Sequence, residues 1–131
     1  MKTILMRTLI ITIILILVIA SYYILSIIST NGIYNYIKKV ITQEVIINDN
    51  SDPLSYFSND YGISGSSYSQ FDIRRQYVFH NFKSGIMSIV FSEDVFNEDG
   101  KLVHQYKNIN VLIYIEKQNG KWVVIDLKRM V

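Results

Sequence analysis

Residues 8–37 carry no charged side chain, and 9–28 are almost purely aliphatic. Twenty helical residues rise about 30 Å, the hydrocarbon thickness of a bilayer. Buried helices of soluble proteins rarely run that far without a charge, so the stretch reads as a membrane span. The expected organisation is a tail at 1–7, a transmembrane helix at 8–30 and one α+β domain at 31–131. About one hundred residues suffice for a single core and no more.

Charge sets the orientation. Lys2 and Arg7 precede the span, and by the positive-inside rule this flank stays in the cytoplasm, which sends the C-terminal domain across the membrane. The remaining eleven basic residues balance eleven acidic ones. A neutral domain has no long-range field to hold a polyanion, so nucleic acid is not an expected partner. There is no cysteine, which removes disulfides, thiolate metal sites and a lipidated N-terminal cysteine. Richness in isoleucine, asparagine and tyrosine is typical of AT-rich bacterial genomes. No small-xxx-small pattern of the Gly-xxx-Gly type marks the span for self-association.

A second reading of the same segment is a secretory signal cleaved after Ala20, since Val18-Ile19-Ala20 suits a signal peptidase and residues 1–7 make a basic leader. The domain would then be secreted. Against this, Tyr22, Tyr23, Ile24, Leu25, Ile27 and Ile28 continue the apolar run where a cleaved signal turns polar.

Beyond Asn31 and Gly32, Ile33, Tyr36, Ile37, Val40, Ile41 and Val45 recur at helical spacing to about Ile47, predicting an amphipathic helix that joins the span at a kink at Gly32. Ser51-Asp52-Pro53 is a helix-start signal for a short second helix at 53–59 that buries Leu54 and Phe57. Residues 61–70, with two glycines and four serines, read as a loop or lid. From Phe71 onward aromatic and β-branched runs predict strands at 71–82, 86–96, 102–116 and 121–130. Asp99-Gly100 and Asn119-Gly120 suit tight turns, giving an antiparallel meander. A bend is expected at Lys107-Asn108, where the pattern weakens.

Alternation assigns Phe71, Ile73, Tyr77 and Phe79, then Met87, Ile89 and Phe91, then Ile109, Val111, Ile113 and Ile115, then Val123, Ile125 and Leu127 to one face. The two helices must cover it. On this reading Trp122, Tyr106, Leu112, Tyr114 and Val124 form a second, aromatic face available to a partner. His80 and His104 also alternate away from the covered face.

Two helices before a four-stranded meander, with Asn119-Gly120-Lys121-Trp122-Val123-Val124-Ile125-Asp126 late in the chain, resemble the nuclear-transport-factor-2-like superfamily over residues 33–131. The resemblance implies a cone of helices packed on a curved sheet. Its bacterial membrane-anchored members include exported domains of unknown role and assembly factors of conjugation and type IV secretion machines, which share this order of parts. Enzymes of the superfamily place a His with an Asp or Tyr inside the cone, and Tyr77, His80 and Asp126 match by residue type.

No catalytic, cofactor or metal motif stands out. Glu93, Asp94, Glu98 and Asp99 crowd one hairpin end without the spacing of a calcium loop. Lys121, Lys128 and Arg129 form a separate basic group, and the pair of clusters suits a polarised contact with another protein. The expected function is therefore a non-enzymatic, membrane-anchored binding or assembly module that meets envelope proteins or itself. The alternative is a small-ligand or enzymatic pocket near Tyr77, His80 and Asp126.

Overall fold

The computed structural model describes residues 1–60 and 68–130. Its elements are α1 (Lys2–Ser29), α2 (Asn31–Ile41), α3 (Ser55–Asp60), β1 (Tyr68–His80), β2 (Ser84–Phe96), β3 (Leu102–Gln118) and β4 (Lys121–Met130). The chain is α+β, with an apolar N-terminal helix and one antiparallel sheet of order β1-β2-β3-β4. The lid expected at 61–70 lies at 61–67 outside the described residues, while Tyr68, Ser69 and Gln70 open β1.

Helix α1 runs 28 residues, about 42 Å at helical rise, and is long and apolar enough to cross a membrane. Two of its threonines turn back on the helix. The hydroxyls of Thr8 and Thr12 donate to the carbonyls of Ile4 and Thr8, both at 2.9 Å, so neither presents an open hydrogen-bonding group to an apolar surround. The break falls at Thr30, not at Gly32 as the sequence suggests. Thr30 leaves helical geometry at φ −101°, ψ 2°, and its hydroxyl donates to the Ser26 carbonyl at 2.7 Å; Gly32 lies inside α2.

Helix α2 buries Ile37, Val40 and Ile41 and stops earlier than its periodicity predicts. Gln43 takes a left-handed φ of 62°, and Val45 and Ile47 reach the core from irregular chain instead. Before α3, the Asp52 carboxylate accepts the Leu54 N–H at 2.9 Å, and Leu54 and Phe57 are buried as expected. Phe57 meets Phe91 of β2 edge-on with centroids 5.8 Å apart.

The strands match the sequence expectation within a few residues, and Asn119 and Gly120 both adopt positive φ, the geometry of a two-residue hairpin. Four register shifts decide the faces. An extra residue at Gln76 flips the remainder of β1, so Val78 and His80, not Tyr77 and Phe79, turn to the core face. The bend at Asn108, with φ 51°, does the same in β3 and brings Tyr106 inward opposite Glu93. A bulge at Ile125 makes Trp122, Val124 and Leu127 the inward residues of β4; Val123 and Ile125 are not. The inner face is completed by Met87, Ile89, Phe91, Ile109, Val111, Ile113 and Ile115, all in one buried cluster with α2, Leu54 and Phe57.

Candidate functional site at the junction of helix and sheet

The last two turns of α1 are bound to the end of β1 by consecutive tyrosines. Tyr22 donates its hydroxyl hydrogen to the backbone carbonyl of His80, on the inner side. Tyr23 lies against Phe79, on the outer side, with ring centroids 6.2 Å apart. Arg75 closes the same joint. Its guanidinium donates to the Ile27 carbonyl at 3.3 Å, the Thr30 hydroxyl at 3.1 Å and the Asn31 side-chain carbonyl at 2.8 Å, and stacks over Tyr34. A cation is well placed there, because the carbonyls that end α1 have no helical partners and carry the negative end of its dipole.

His80 is the centre of this joint and is 5 % exposed. Its Nδ1 accepts the Phe82 N–H at 3.1 Å, so the ring proton sits on Nε2, which donates to the Ser29 hydroxyl at 3.0 Å. Ser29 in turn donates to the Ser26 carbonyl at 3.3 Å. Burial lowers the His80 pKa below its ordinary value, and nearby Lys117 lowers it further, so the neutral ring that this network requires is favoured. Trp122 packs on the imidazole at 4.9 Å, with the Lys117 ammonium 5.4 Å from the centre of the indole ring. Gly85, directly across from His80, cannot be larger: a Cβ there would lie 2.5 Å from the Phe79 carbonyl and 2.6 Å from the His80 Cβ.

The seven sequence-predicted site residues separate between faces. Tyr77, Leu112, Tyr114 and Asp126 are on the outer face; His80, Trp122 and Tyr106 are on the inner one. Tyr77, His80 and Asp126 therefore do not converge on one pocket, and Trp122 and Tyr106 do not belong to the outer aromatic stripe. The bulges at Gln76, Asn108 and Ile125 are the reason. What the outer face does hold is Tyr77, Phe79, Ile86, Leu112, Tyr114 and Val123, all at least partly exposed, around Ser88, whose hydroxyl lies 3.0 Å from the side-chain amides of both Gln76 and Asn110. Beside the joint an open cleft of about 390 Å³ is lined by Ser29, Ile33, Tyr36, Lys121 and Trp122. The Trp122 indole N–H is buried without an acceptor among the described residues.

Glu93 is a buried group that the sequence hides among its acidic neighbours. It is 1 % exposed, pairs across the sheet with Tyr106, and accepts the Ser69 hydroxyl at 2.7 Å through one oxygen, while the other has no partner among the described residues. Burial raises its pKa, against smaller opposing effects of Ser69 and His104. Its even spacing from Met87, Ile89 and Phe91 was the available signal. Among the described residues no group of three His, Asp or Glu is arranged to hold a metal ion.

No family model, curated protein or solved structure matches this chain.

Proposed function

We propose that the chain is a single-pass membrane protein whose α1 anchors an extracytoplasmic binding or assembly module, with the outer sheet face as its contact surface. The observation that carries this is the partly exposed stripe of Tyr77, Phe79, Ile86, Leu112 and Tyr114, on a sheet fastened directly to an apolar helix whose side chains from Ile4 to Ile19 are largely exposed. Such a stripe costs solubility unless another molecule covers it. The orientation with Lys2 and Arg7 in the cytoplasm rests on the positive-inside rule. A cone in which α2 and α3 close over a curved sheet belongs to the same proposal, as does kinship with bacterial envelope assembly factors.

The test is capture of the tagged full-length protein from cross-linked native membranes, beside a Tyr114→Lys variant with unchanged thermal unfolding. Recovery of a defined envelope complex that the variant loses supports the reading. A complex that survives the substitution removes the outer face as the contact.

The unpaired Trp122 N–H beside the cleft favours a second reading, a small ligand with a hydrogen-bond acceptor held between α2 and the start of β4. Trp122 is the single tryptophan, so its fluorescence reports occupancy of the cleft directly. A ligand screen that never shifts that emission rejects this second reading.

A further inference from the structure

The end of the sheet nearest α1 carries an aromatic residue that packs edge-on on His80 at 5.1 Å and still leaves most of its surface open. Phe82, in the β1–β2 turn, is held at φ 69° yet is 60 % exposed. A bulky side chain in the left-handed region is strained, and glycine or asparagine would make the turn more easily. The turn is nevertheless firmly fixed: Phe82 N–H donates to His80, and the Asn81 side-chain oxygen accepts the N–H groups of Lys83 and Ser84 at 3.1 and 2.9 Å. Phe82 packs edge-on against Tyr22 of α1 at 5.9 Å, and Phe79, 52 % exposed, meets Tyr23. The β3–β4 turn stands beside it, joined by the Lys117 N–H to the Lys83 carbonyl at 2.7 Å. Lys83, Lys117 and Lys121 are exposed on these two turns, with Glu116 the acidic residue there. The opposite end of the sheet, at the β2–β3 turn, presents Glu98 and Asp99 with one lysine, Lys101.

Span length brings this tip to the bilayer. From Thr8, the first residue after Arg7, to Ser21, the last before the joint, the helix rises only about 21 Å, short of about 30 Å of hydrocarbon. Beyond the joint, Ile24, Leu25 and Ile28 stay apolar and exposed on α1, 55 to 60 % in each case. A layer whose boundary falls among these residues meets, on the other side of the helix, the end of the sheet. We propose that the tip formed by the β1–β2 and β3–β4 turns is a lipid-contact surface. Phe79 and Phe82 sit in the interfacial layer of the membrane that α1 crosses, and Lys83, Lys117 and Lys121 meet anionic headgroups. Aromatic rings and lysines at a membrane–water boundary are the residue types that this environment stabilises. The inference rests on α1 being an anchor, and its test separates the two.

The chain has no cysteine, so single cysteines can be labelled cleanly. Full-length protein carrying an environment-sensitive dye at Leu17→Cys, Phe82→Cys, Ser84→Cys or Glu98→Cys is reconstituted into phosphatidylcholine vesicles, with or without phosphatidylglycerol, containing acyl-chain quenchers. Expected is strong quenching at 17, quenching at 82 and 84 several-fold above that at 98, and a further rise at 82 with phosphatidylglycerol that Lys83→Gln with Lys121→Gln abolishes. Ser84→Cys keeps Phe82, so a misfolded turn in the Phe82 variant does not decide the result. Quenching at 17 with none above the Glu98 level at either 82 or 84 overturns the lipid contact while leaving the anchor. No quenching at 17 overturns the anchor and the contact together. Equal quenching at 82 in both lipid mixtures overturns the role of the lysines.

Discussion

Glu93 and His80 are both buried titratable groups on the inner face, and they respond to pH in opposite directions. The His80 pKa is lowered, so what the neutral ring contributes is present above its unfolded value and fades as pH falls through the folded one. Glu93 has a raised pKa, so its contribution is complete below the unfolded value of about 4.3 and is lost as pH rises through the folded value. Above that point the fold holds a carboxylate with one unpartnered oxygen away from water. Glu93→Gln keeps the shape and an acceptor for Ser69 while removing the charge. The variant is expected to be more stable than the parent by about 1 to 3 kcal/mol at pH 8, with the gap closing towards pH 4. Urea unfolding in detergent at both pH values, followed by Trp122 emission, checks this; a gap independent of pH contradicts it.

At the scale of elements, the strands were legible because alternation and the Asp-Gly and Asn-Gly turns mark their ends, and Leu54 and Phe57 were legible from a helix start. The faces were not. A one-residue bulge leaves no mark in a run such as Trp122-Val123-Val124-Ile125, where every residue is apolar and either parity satisfies the pattern. That ambiguity cost the candidate site most: it put His80 and Trp122 outside and Tyr77 and Phe79 inside. Helix α1 shows the complementary limit. Tyr22 and Tyr23 fasten the helix to β1, and the first of these contacts joins residues 58 apart, which no local pattern records. Arg75 serves the same joint, and its position after Phe71 and Ile73 with inward parity gave no hint of the α1 terminus. Arg75→Ala removes three hydrogen bonds from a charged group and the stacking on Tyr34, an expected loss of about 2 to 3 kcal/mol. Amide hydrogen exchange at residues 26–31 is expected to accelerate while β2 and β3 stay protected. Unchanged exchange there shows that the cap contributes little.

Seen as a whole molecule, the folded unit begins inside the apolar helix. Ser26 and Thr30 are buried, and Tyr22, Ile27 and Ser29 all touch the sheet or its core. A chain beginning at Ser21 keeps each of these contacts, whereas one beginning at Ile33 loses Tyr22, Ser29 and the acceptors of Arg75, leaving His80 and Arg75 with unpaired donors. At about 1 kcal/mol for each lost hydrogen bond, the shorter chain is expected to be less stable by at least about 3 kcal/mol. Comparison of the two unfolding midpoints in the same buffer tests this, and equal midpoints show that the joint does not support the domain. The longer of these chains is also the product that a signal peptidase would leave after Ala20. An anchored and a cleaved chain would therefore keep the same contacts between α1 and the sheet, and differ in whether residues 1–20 remain. The mass of the mature protein decides between them: retention of residues 1–20 keeps the proposed lipid contact of Phe82 in the same chain as its anchor, while their removal leaves only Ile24, Leu25 and Ile28 of the exposed apolar helix beside Phe79, Phe82 and the three lysines.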